Sequence, residues 1–227
     1  MRQKAAGAGN ESATSSEPSK IKDMADQLYL SLWFSNFRFE TLPGALVSVL
    51  RQFTAVGATT RVSAATVYPI SWNESPVYQR IYSAQESEAS IPELAVAEAT
   101  DLLHDDFAYE FEMKWDLWTA ESQGPLDPVW KKIPQPVLVV GFGPNFDEGF
   151  YEQSGHIRVD FGIESHFLLD EFELDAEAAA KVKENVQMLV DFTNAVQANC
   201  GVSSRLLWSE SGESLAAKLI SRLQRLN

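Results

Sequence analysis

Residues 107–118, FAYEFEMKWDLW, decide the fold class. Phe107, Tyr109, Phe111, Met113, Trp115 and Leu117 alternate with Ala108, Glu110, Glu112, Lys114, Asp116 and Trp118. Successive side chains of a strand point to opposite faces, so the run reads as a strand with one packed face and one wet face. Such a strand belongs in a sheet covered by helices on one side. Upstream, Ser90-Ile91-Pro92-Glu93 has the form of a capping box ahead of an apolar stripe, Leu94, Ala97, Leu102 and Leu103, and reads as a helix. Residues 61–70 and 77–82 are β-branched and aromatic runs about a Ser71–Pro76 loop, a hairpin. Thr41 caps a helix whose Leu42, Leu46, Val49, Leu50 and Phe53 share one face until Gly57, and Leu28–Phe34 (LYLSLWF) is a buried first strand. The order from 28 to 118 is β-α-β-β-α-β, the ferredoxin-like order of an α+β fold.

Downstream, residues 119–136 carry four prolines and one glycine and read as an irregular Pro-rich connection between a half at 24–118 and a half at 137–227. Strands at 137–142 and 156–163, a helix from Asp175 to about Asn199 stopped by Gly201, a strand at 202–208 and a Ser211-capped helix with Leu215, Leu219, Leu223 and Leu226 on one face give the second half the order β-β-α-β-α. Both halves hold a strand-helix-strand succession, Leu28–Tyr68 and His156–Trp208, which fits a worn duplication or a coincidence. The halves would share one sheet or pack as two subdomains.

The 227 residues are 45% hydrophobic and 22% charged, enough for a real core. Residues 1–23 read as a disordered tail, since residues 1–22 hold no aromatic side chain, and Met1 or Met24 would serve as the start. No run approaches the roughly 18 consecutive apolar residues of a membrane span. Cys200 is the single cysteine, so no intrachain disulfide and no multi-thiolate metal site can form, and a cytoplasmic location is expected. The net charge is −14, and residues 1–22 hold four basic and two acidic side chains, so taking that +2 away leaves −16 for the rest. Nucleic acid and anionic membranes are poor partners for such a field; a basic protein, a cation or a neutral ligand suits it.

Gly141-Phe142-Gly143 lacks the third glycine and following helix of a dinucleotide site, and no Walker-type loop exists. His104-Asp105-Asp106 places an imidazole and two carboxylates at a corner suited to a cation or a proton, or merely to a helix end. His156 and Asp160 should point the same way with Arg158 between them, and His166 completes the histidines. Cys200 beside Gly201 reads as a buried small hydrophobe. The wet face of 107–118 offers Glu110, Glu112, Asp116 and Trp118 to a basic partner, or only to water. Asp170, Glu171, Glu173, Asp175 and Glu177 form an acidic run without the spacing of a calcium loop. Trp72 and Trp130, in loops with proline neighbours, plug the core edge or line a groove.

LYLSLWF, Tyr68-Pro69-Ile70-Ser71-Trp72, LLHDDFAYEFEMKWDLW and GHIRVDFG resemble segments of an uncharacterised bacterial protein family, a resemblance that implies no activity. The leading expectation is a non-enzymatic binding or inhibitory module, of the kind immunity proteins represent, that meets a basic protein without a cofactor or bound metal. A hydrolase or metal-dependent enzyme using His104, Asp105, Asp106, His156 or Asp160 is the alternative, and a small-ligand module with a tryptophan-lined groove is a third. Oligomeric state is not legible.

Overall fold

The computed structural model describes residues 26–58, 60–83, 85, 88–121, 129–168 and 176–210. The elements follow in the order β1 (Gln27–Phe34), α1 (Leu42–Arg51), β2 (Ala64–Pro69), β3 (Tyr78–Ile81), α2 (Pro92–Ala99), β4 (Phe107–Glu121), β5 (Val129–Phe142), α3 (Tyr151–Ser154), β6 (Ile157–Ile163), α4 (Ser165–Leu168), α5 (Ala176–Asn199) and β7 (Val202–Ser209). The strands form one antiparallel sheet in the order β3-β2-β4-β5-β6-β1-β7, an α+β arrangement that joins both halves of the chain.

The alternation of β4 sets the two faces. Tyr109, Phe111, Met113, Trp115 and Leu117 are buried with Leu28, Leu30 and Leu32 of β1, Val137 and Val139 of β5, and Ile157, Val159 and Phe161 of β6. Leu42, Leu46, Val49 and Leu50 of α1 and Val182, Val186, Leu189, Phe192 and Val196 of α5 cover that face. Trp115 lies among Phe53, Phe161, Phe167 and Phe192, with ring centroids 5.3–6.3 Å apart; truncating a residue so placed costs about 3–5 kcal/mol in well-packed cores. At Gly141 a Cβ would come within 2.8 Å of Leu42 Cδ1 and 3.0 Å of Leu46 Cδ1, so the glycine lets the leucine tips of α1 lie close on β5.

The opposite face carries a smaller cluster, Ala108, Val140, Phe142 and Phe146 with Tyr68, Trp72, Leu138, Phe150 and Tyr151 against it. Trp72 meets Phe142, Phe146 and Phe150 edge-on at 6.0, 5.2 and 6.4 Å. It therefore packs across the sheet from α1 and α5 and outside the main core.

Four expectations are corrected. The ferredoxin-like pairing is absent: β1 sits between β6 and β7, separated from β2 and β3 by β6, β5 and β4. The two strand-helix-strand units do not match in pairing either, since β6 and β7 flank β1 whereas β1 and β2 lie four positions apart. The Pro-rich stretch is strand at 119–121 and 129–136, with Asp116 opposite Pro134 and Lys114 opposite Pro136. β6 pairs with β5 only over Leu138–Gly141, so both prolines lie where β5 has a single neighbour and their missing N–H groups are not needed. Ser90 does not cap α2: the cap position is Ile91, and buried Ser90 accepts the Val62 N–H through its carbonyl at 2.8 Å. The Ser211-capped helix, the Asp175 cap, Asp170, Glu171, Glu173 and the tail lie outside the described residues.

Candidate functional site

The three histidines occupy three separate settings. His104 is exposed just ahead of β4, its ring 4.5 Å from that of Phe107 and its N–H bonded to the Tyr109 hydroxyl at 2.8 Å. His156 stacks on Phe37 at 4.1 Å and accepts the Phe34 N–H at Nδ1 (3.1 Å), in a 370 Å³ pocket with Phe39, Pro144 and Tyr151. Burial lowers the pKa of His156 and likewise of His166, whose carbonyl accepts from Asn185. Among the described residues no group of three His, Cys, Asp or Glu could hold a metal ion. Cys200 is half-buried, and burial pushes its thiol up.

Arg158, Asp160 and Glu110 do share the face opposite α1 and α5. Thr66, Glu110, Val140, Arg158 and Ser31 stand opposite one another across five adjacent strands. The Arg158 guanidinium lies 4.8 Å from the Tyr29 ring, 5.3 Å from Phe150, 5.6 Å from Phe142 and 6.0 Å from Trp72. Its Nε is buried without a partner. Burial holds the carboxyls of Glu110 and Asp160 above the usual range, with Arg158 opposing in both. Burial, Asp160 and the hydrogen bond to Glu210 push the Tyr29 hydroxyl up to about 12. Glu110 thus faces a cation of its own chain, while Glu112 is held by the Ser63 hydroxyl at 2.5 Å. Asp116 is exposed. The Trp118 indole donates to Glu184 Oε2 at 2.7 Å between the ammonium groups of Lys132 and Lys181, at 5.3 and 5.2 Å.

The strongest charge asymmetry lies at the other end of β4. Three loops meet there. Ile70 donates its N–H to Asp106 O (2.7 Å) and accepts that of Asp147 (2.7 Å), while Asn145 is bonded to Asp105 through its N–H and its side-chain amide, each at 2.8 Å. Residues 70–77, 99–107 and 143–155 bring seven carboxylates, Glu74, Asp101, Asp105, Asp106, Asp147, Glu148 and Glu152, and not one Lys or Arg. None of the seven forms an ion pair among the described residues, and all except Asp106 and Asp147 are exposed. Three residues of this corner, Ile70, Asp147 and Glu148, hold positive φ of 62°, 47° and 59°. The conformation is costly for a β-branched side chain, and Ile70 is 59% exposed in it.

Beside the corner, between α2 and β3, lies a groove of about 500 Å³ lined by Val67, Val77, Tyr78, Glu98, Ala99, Asp101, Leu102, His104 and Phe107. Sequence reasoning singled out His104, Asp105 and Asp106 here but missed Glu74, Asp147, Glu148, Glu152 and the groove. The absence of any Lys or Arg from all three loops is the signal that would have found them.

No family model, curated protein or solved structure matches the chain, so the functional reading rests on this geometry. No helix among the described residues is long and apolar enough to cross a membrane.

Proposed function

We propose that the chain is a non-enzymatic binding module that receives a basic protein partner, met in the cytoplasm, on the carboxylate-rich loop end of its sheet. The observation that carries this reading is seven carboxylates on three touching loops without a basic residue or an ion pair among them. Like charges so gathered repel one another, and a cationic partner relieves that repulsion while the field speeds its approach. The inward turn of Glu110 toward Arg158 and the Ser63 contact of Glu112 make the β4 face the weaker docking surface of the two.

The test is binding of a fluorescent lysine- and arginine-rich peptide followed by anisotropy at two salt concentrations. Changing Glu74, Glu148 and Glu152 together to Lys should weaken binding at least tenfold, whereas Glu40, Glu88 and Asp191 changed to Lys, the same charge difference at exposed sites elsewhere, should weaken it less than threefold. Equal losses from both triples would reduce the effect to net charge and overturn the reading.

A further inference from the structure

Resting on that reading, we infer that the groove between α2 and β3 is a socket for one long basic side chain, arginine or lysine, of the partner. Val67, Val77, Ala99, Leu102 and Phe107 form apolar walls against which a methylene stem can lie. Val77 and Leu102 stand 59% and 72% exposed at its rim, an apolar lip uncovered in the free chain. The polar groups are chosen for a cation. Glu98 is ion-paired with Arg80, whereas Asp101, three residues on and exposed, has no ion-pair partner. α2 ends at Ala99 in the groove wall, and the carbonyls at a helix C-terminus carry partial negative charge.

The Tyr78 hydroxyl is buried beside the side chains of Glu98 and Tyr82. It offers a lone pair to an incoming N–H. Phe107 and the ring of His104 against it add an aromatic wall on which a guanidinium can stack. A carboxylate ligand would meet Asp101 and Glu98 head-on, and a purely apolar one would leave Asp101 and Tyr78 as they are. The site therefore favours an amphipathic cation, which in a basic partner is a lysine or arginine side chain.

The test uses hexylguanidinium, hexanol and hexanoate as probes of the full chain, read from backbone amide shifts. Hexylguanidinium should move the signals of Tyr78, Ala99, Asp101, Leu102 and His104, bind at least tenfold more tightly than hexanol, and weaken at least tenfold on Asp101→Asn or on Ala99→Leu, which fills the groove. Hexanoate should move none of these signals. Equal binding of hexanol and hexylguanidinium, or no response to Asp101→Asn, overturns the socket. The basic peptide separates this from the broader reading. If Ala99→Leu leaves its affinity unchanged while the Glu74, Glu148 and Glu152 triple abolishes it, the socket fails and the acidic end stands. If the triple has no effect, the acidic end fails whatever the groove binds.

Discussion

The β4–β5 hairpin has two ends that treat charge in opposite ways. At the far end Lys132 and Lys181 are matched with Glu184 and Glu177 at 2.5 and 2.6 Å, and Trp118 is wedged between the two ammonium groups. At the near end the loops around Asp105, Ile70 and Asp147 carry acid alone and are fastened through backbone hydrogen bonds and the Asn145–Asp105 contact. Charges satisfied within the chain serve its fold; charges left unmatched on a rigid frame are available to something else. The rigidity of the near end is what distinguishes it from a merely solvated acidic surface.

The largest expected effect tests that rigidity. At Gly143 a Cβ would lie 2.2 Å from Asp105 O and 2.6 Å from its carbonyl carbon, both backbone atoms. Gly143→Ala should therefore lower stability by about 3 kcal/mol, read from the urea midpoint. A loss under about 0.5 kcal/mol would mean that the corner yields easily, and the contrast would dissolve. Next is the fastening of the far end. Buried Asn185 accepts the Trp118 N–H at 2.9 Å and donates to the carbonyls of Trp118 and His166 at 2.9 and 2.8 Å. Asn185→Ala should cost about 2 kcal/mol because three backbone groups lose their partner, with faster hydrogen exchange at Trp118 as the local readout. The smallest effect belongs to Lys132→Met, a few tenths of a kcal/mol for an exposed pair. The Lys132 ammonium, with the Trp118 indole, holds the Glu184 carboxyl below the usual range. The stabilisation is thus present at neutral pH and fades as pH falls through that lowered pKa. Wild type and variant should converge in thermal melts once pH has fallen below that lowered pKa, and a gap that persists at the acid end of the titration would assign the effect to packing.

The strand β4 was legible because its alternation spans a full face, helix α1 because Leu42, Leu46, Val49 and Leu50 share one face, and α5 because Gly201, at φ 67°, follows its last turn. The partners of β1 were not. LYLSLWF says that a strand is buried on one side but not that its neighbours are Ile157–Ile163 and Val202–Ser209, since pairing is settled by the whole packing. Pro134 and Pro136 concealed the first half of β5 because proline argues against a strand unless its N–H side is unpaired, a fact that only the sheet supplies. At the site, the adjacent triplet His104-Asp105-Asp106 drew attention as local spacing does, whereas the carboxylates at 74, 147, 148 and 152 join it only through backbone contacts between loops.

The position of β1 also governs the order in which the molecule can be assembled. Both strands that hydrogen-bond to it are made more than a hundred residues later, Leu30 pairing with Val159 and with Leu207. On a ribosome the hairpins β2–β3 and β4–β5 can form as they emerge, but Leu28, Leu30 and Leu32 must wait with one strand edge bare until Ile163 is out and the other until Ser209 is. Contacts so distant along the chain are slow to form, and bare apolar edges invite aggregation meanwhile. The nascent chain therefore carries an apolar strand without its sheet partners while the hundred and more residues between β1 and β6 are made.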